Sequence, residues 1–135
     1  MNEPSAIEWL KKSWHNLSGA KIFYEANHYT DVTAVELHYS VEKTLKAFLA
    51  HENSKIPKTH DLEDIYFLVN KYISLEEDEI DLLGEITKYH IEESYPVFDR
   101  TLPSKEEIKV VLDFAFILFD QVCTILKIDK EEAKK

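Results

Sequence analysis

Turn-formers are scarce in this chain. It has two Gly, Gly19 and Gly84, and four Pro in 135 residues. An all-β domain of that length needs many tight turns, and the residues that make them are missing, so a few long helices joined by short loops are expected. Cysteine is nearly absent: Cys123 stands alone, which excludes an intramolecular disulfide and fits a reducing compartment. No Cys/His spacing resembles a zinc site, so no metal and no cofactor are expected. Arginine occurs once, as Arg100, so the planar fork that grips phosphate is available once per chain. The start, MNEPSAIEW, lacks the charged beginning and long apolar run of a signal peptide, and no stretch is long and apolar enough to span a bilayer. The expectation is a cytoplasmic protein.

Acidic residues and helical apolar periodicity are plentiful. Sixteen Lys and Arg against 26 Asp and Glu give a formal charge of −10, which repels a phosphate backbone and argues against non-specific nucleic-acid binding. Apolar residues make up 44%, enough for a sizeable core. With no repeat or change of composition, a single domain over 1–135 is expected, with its core at about 5–127 and a charged, fraying tail, KIDKEEAKK, from about 128 to 135.

Five helical segments follow from the spacing. Ile7, Leu10, Trp14 and Leu17 share a face of a first helix over about 5–26. Trp9, Trp14, Phe23 and Tyr24 on it read as core or interface rather than a stacking platform. After NHYTD, Thr30 or Asp31 caps a second helix to about 52, with Val35, Val41, Leu45, Phe48 and Leu49 apolar. Glu42 and Lys46, four apart in it, read as an exposed pair worth about 0.2–0.5 kcal/mol. Asp61 opens a third helix to about 72, with Leu62, Ile65, Leu68 and Val69 inward. Ser74 with Glu77, and Ser104 with Glu107, match the capping-box pattern for a fourth and a fifth helix, the fourth being stopped by Pro96. The fifth, to about 127, is apolar nearly all round. One stripe runs through Ile108, Val111, Leu112, Ala115, Leu118, Phe119, Val122 and Leu126, and a second through Val110, Phe114 and Ile117. Either it is the central helix, or its second face meets another subunit. Cys123 beside the stripe reads as a small buried residue.

Three stretches in order resemble the HEPN family of small helical bundles: HYSVEKTLKAFL in the second helix, IPKTHDL leading into the third, and YHIEESYP ending the fourth, over roughly residues 5–125. Tyr29 and Asp31 in NHYTD sit where the family turns from its first helix to its second. The resemblance implies an all-α antiparallel bundle of four to five helices, of the type found as substrate-binding subunits of nucleotidyltransferases. It also implies a homodimer in a prokaryotic cytoplasm. Some members are metal-independent ribonucleases, often toxins, which use an Arg followed by about four to six residues and a His, with two copies forming one site. There the His moves the proton of the 2′-hydroxyl and the Arg stabilises charge on the phosphate. Others are binding modules that take a nucleotide or a minimal nucleotidyltransferase partner, in toxin–antitoxin-like pairs.

That ribonuclease pattern cannot be built here. Arg100 follows all six His residues (15, 28, 38, 51, 60 and 90), and Ser94 stands where the family has the Arg of Arg-Tyr-Pro. The expected function is therefore a non-catalytic binding or interaction module, with Lys43, Lys46, Lys58, His60 and Arg100 as candidate nucleotide or partner contacts. An atypical ribonuclease using His90, Glu93 and Arg100 is the first alternative, and a purely structural dimerisation unit the second. Each candidate also has a plain structural reading. His60 would fix its loop, His90 and Glu93 would form a surface pair, Arg100 would clamp the end of the fourth helix, and Glu42, Lys43 and Lys46 would be a solvated face.

Overall fold

The computed structural model describes residues 1–94 and 102–135, with side chains through residue 90 and again from residue 102. Among the described residues there are six helices and no strand: α1 Glu3–Glu25, α2 Thr30–His51, α3 Leu62–Val69, α4 Glu77–Ser94, α5 Lys105–Leu126 and α6 Lys130–Ala133. Pro96, Asp99 and Arg100, and the side chains of Glu92, Glu93 and Ser94, lie outside the described residues.

The helices stop without glycine. At the end of α1, Asn27 takes a left-handed φ of 56°, and the amides of Asn27 and His28 turn back to the carbonyls of Tyr24 and Phe23 at 3.1 and 2.9 Å. Asn53 (φ 60°) ends α2 by the same pair of bonds, to Ala50 and Leu49 at 3.2 and 2.9 Å. Lys127 (φ 58°) ends α5 likewise, with bonds to Thr124 and Cys123. Asn tolerates this conformation because its short side chain bonds locally, so it can do the work usually given to Gly. Both glycines instead sit inside helices, Gly19 in α1 and Gly84 in α4.

The central element is α2. It packs against α1, α3, α4 and α5, and it is buried on nearly every side from Ser40 to Ala50. Against α1 the contact is close, because small residues meet there: the Ser13 hydroxyl donates to the Ser40 carbonyl at 2.8 Å and lies 2.6 Å from Thr44 Oγ1. Asn2 ties the start of α1 to the end of α2 through a 2.7 Å backbone bond to the His51 carbonyl. The core cluster draws on all six helices, with Leu10, Leu37, Phe48, Ile65, Leu83, Phe119 and Ala133 each at 0 or 1% exposure.

Several expectations are corrected. α5 is not the central helix: its first stripe is buried from Ile108 to Val122, but Val110 and Ile117 are 58% and 57% exposed. The C-terminal segment carries a short helix, α6. Ile128 and Ala133 are buried, and α6 packs on α1 with Lys134 Nζ 4.8 Å from the Trp14 ring. α3 is one turn shorter than expected and inward at Leu62, Ile65, Tyr66 and Val69, which leaves Leu68 exposed. α4 starts at Glu77, not after Ser74, because Ile73 and Leu75 are buried and the Leu75 amide is taken by the Tyr66 hydroxyl at 2.9 Å. The reaching-back carboxylate is Glu79, on the Glu76 amide. Tyr29, not Thr30 or Asp31, precedes the first turn of α2, with no side-chain cap. The caps expected at Asp61 and Ser104 are present.

Candidate functional site

His38, Glu42 and Lys46 follow one another at four-residue steps on α2, so they form one polar stripe along the helix. That stripe faces the loop before α3 and the last turns of α4, and it is buried. Glu42 and Lys46 side chains are 6% and 5% exposed and meet at 2.8 Å. The expected exposed pair is therefore an internal ion pair. Lys46 Nζ also donates to the Thr59 carbonyl at 3.2 Å, which pins the loop. Glu42 Oε1 lies 2.8 Å from His60 Nδ1, so one carboxylate receives a lysine and an imidazole on its two oxygens. Burial alone would raise the Glu42 pKa; the hydrogen bonds from Lys46 and His60, and their charge, reverse this and hold the carboxyl below its ordinary range.

His38 completes the network from beneath. Its Nε2 is 2.8 Å from the His60 carbonyl, which can only accept, so Nε2 carries the proton. Nδ1 has no hydrogen-bond partner among the described residues and lies 3.8 Å from Glu42 Oε1. Burial pushes the His38 pKa down to about 4, against the opposing pull of the His60 carbonyl and the Glu42 charge. His90, from α4, stacks on His60 with ring centroids 4.4 Å apart and stands 5.1 Å from His38. Burial first, then the neighbouring His60, lowers its pKa as well. Three imidazoles from three segments thus share one carboxylate. Among the described residues no group of three or more His, Cys, Asp and Glu could hold a metal ion.

One residue along α2, Lys43 leaves this interior. It borders a surface cleft of about 490 Å³ lined by Glu8, Trp9, Lys12 and Lys43. Asn16 accepts from Lys43 Nζ at 2.7 Å and is itself held by Glu36. Among the described residues no carboxylate pairs directly with Lys43, and its pKa is lowered, chiefly by burial, with Glu42 and Glu36 opposing and Lys12 and Lys46 adding to the shift. Trp9 meets both environments: it lines the cleft, and Lys46 Nζ lies 5.9 Å from its ring.

The candidates are thus divided. His60 and Lys46 meet at Glu42, while Lys43 lines the cleft. Lys58 is exposed on the loop and makes no ion pair with described residues. His90 joins the cluster. Arg100 and the Glu93 side chain fall outside the described residues. Sequence reading missed His38, Lys12 and the part Trp9 plays in the cleft; the four-residue stripe from His38 to Lys46 was the available signal.

Fold and site together define a class: an all-α bundle whose central helix carries a buried carboxylate–lysine–histidine network. A family model described as the HEPN domain matches residues 6–126, and the chain belongs to the HEPN family. No curated protein and no solved structure matches it. No helix among the described residues is long and apolar enough to cross a membrane.

Proposed function

We propose that this HEPN protein is a non-catalytic binding module, and that its ligand is a nucleotide held in the Trp9 cleft. The observation that carries the reading is the position of Lys43, a partly buried cation with no carboxylate partner among the described residues, facing a concave surface with Trp9 and Lys12. A base has a flat face for the indole, and a phosphate supplies the charge that two lysines lack. The histidine cluster supports the non-catalytic half. His60 and His90 stack at 4.4 Å, which leaves no room for a scissile phosphate between the rings. His60 Nδ1 and both Glu42 oxygens are engaged in holding the loop.

Calorimetric titration with ATP and, separately, with inorganic phosphate tests this. ATP binding that weakens about tenfold in Lys43→Gln or Lys12→Gln is the expected result, and one decade in Kd is the scale of one charge-assisted contact. ATP binding unaffected by both substitutions, or no binding at millimolar ligand, overturns the assignment. RNA cleavage in EDTA that is lost in His60→Gln or His90→Ala overturns the non-catalytic reading.

A further inference from the structure

A second concave surface lies between α1 and α5 and shares no residue with the Glu42 cluster or the Trp9 cleft. Its volume of about 530 Å³ is within the range of clefts that take a small molecule. Tyr24 from α1 and Leu112 and Phe116 from α5 supply its apolar wall: Leu112 is buried, and the two aromatic rings are partly buried against the core. An apolar body of modest size has a surface to lie on there.

The charges around that wall are in two states. Each helix brings a cation and an anion four residues apart, with the cation first, which is the weaker order for a helical pair. On α5 the pair still closes: Lys109 Nζ and Asp113 Oδ1 meet at 2.8 Å. On α1 it does not. Among the described residues neither Lys21 nor Glu25 has an ion-pair partner. Lys21 instead reaches across the cleft, its Nζ 5.9 Å from the centre of the Phe116 ring. Lys105, another cation nearby, lies over the Tyr24 ring at 4.7 Å and is held by Asn27. One uncommitted cation and one uncommitted anion thus stand a turn apart beside an apolar wall. A ligand with a single charge satisfies one of them and is repelled by the other. A ligand with both charges next to an apolar body satisfies both. An α-amino acid has that arrangement, its ammonium and carboxylate joined to the carbon that bears the side chain.

We propose that the α1–α5 cleft binds a free α-amino acid with a large apolar side chain, its carboxylate on Lys21, its ammonium on Glu25 and its side chain against Tyr24, Leu112 and Phe116. The site is separate from the nucleotide reading and stands without it. Both charged contacts are open to water, so affinity is modest, and selectivity comes from needing both charges and the apolar body together. Lys21 and Glu25 are exposed, so replacing either leaves the fold intact.

The test is a chemical-shift titration of the full chain with L-phenylalanine. Phenethylamine and 3-phenylpropionate, the same body lacking one charge each, and L-alanine, the same head group lacking the body, are titrated in parallel. L-phenylalanine should saturate, and each of the other three should bind about threefold to tenfold more weakly. Lys21→Gln should weaken L-phenylalanine by a similar factor and leave phenethylamine no weaker. Glu25→Gln should weaken L-phenylalanine likewise and leave 3-phenylpropionate no weaker. Circular dichroism checks folding, and the analogues make the same comparison on wild type, which covers a variant that fails to fold. No saturable binding at about 20 mM L-phenylalanine overturns the proposal. So does L-alanine or either singly charged analogue binding as tightly as L-phenylalanine, and so does binding indifferent to both substitutions, because the ligand would then sit elsewhere.

Discussion

Lys43 and Lys46 lie three residues apart on the same helix and have opposite surroundings. Lys46 is 4% exposed and held by a carboxylate and a carbonyl, while Lys43 lies at a cleft with an amide oxygen as its hydrogen-bond partner and the Tyr39 ring 5.4 Å away. The first kind of lysine is spent on the structure: its charge is neutralised and its hydrogen bonds fasten the loop before α3. The second kind keeps charge to offer. Three steps of about 100° leave them about 60° apart around the helix axis, on adjoining faces. Type and spacing alone would treat them alike, and the difference comes from what the rest of the chain packs around each.

Removing the carboxylate should break this contrast most strongly. Glu42→Ala leaves Lys46 inside the protein with no counter-charge, and His60 with no partner for Nδ1. Breaking one side of a buried pair typically costs about 3–5 kcal/mol, so urea unfolding should show a loss of that order. Replacing both members, as in Glu42→Leu with Lys46→Met, should recover most of it, because two buried charges are removed together. A loss under about 1 kcal/mol for Glu42→Ala would mean that the pair behaves as a surface pair after all.

The fold was largely legible and the site only partly so, for separable reasons. Apolar steps of three and four placed the long helices, and Asp61 and Ser104 marked two of the starts. The stops were less visible because Asn27, Asn53 and Lys127 take the turn position usually filled by glycine. Docking of α6 was hidden because it rests on only Ile128 and Ala133 within a charged run. Glu42 and Lys46 were misplaced because an i,i+4 pair looks the same on either face of a helix. Its second partner, His60, lies 18 residues away, and only folding brings it near. The family pattern flagged the right segment without saying which charges turn inward.

A smaller break acts on His38. In the unfolded chain it takes up a proton near its ordinary 6.5, while in the folded protein it does so only at about 4. Between those values unfolding binds a proton, so stability falls as pH is lowered from 6.5 toward 4. A shift of that size corresponds to about 3 kcal/mol over the window. The depressed His90 adds a slope of the same sign. Denaturation midpoints measured across pH should fall steeply in wild type and less so in His38→Gln, whose amide can still donate to the His60 carbonyl. Equal slopes in the two proteins would show that His38 is not the group responsible.

The smallest effect on stability sharpens the comparison from its other side. Lys43→Gln removes a charge that no carboxylate among the described residues pairs with directly, and the amide can still reach Asn16. Unfolding free energy should move by no more than about 0.5 kcal/mol, the range for substitutions outside a packed or paired site. Lys46→Gln, three residues on, leaves the buried Glu42 without its cation and should cost several times as much. ATP titration should rank the two in the reverse order, with Lys43→Gln impaired and any folded Lys46→Gln protein near wild type. Two lysines whose stability and binding effects run opposite ways would separate the structural charge from the functional one. If both quantities fell together in both variants, Lys43 would belong to the same scaffold as Lys46, and the cleft would have no ligand role to assign to it.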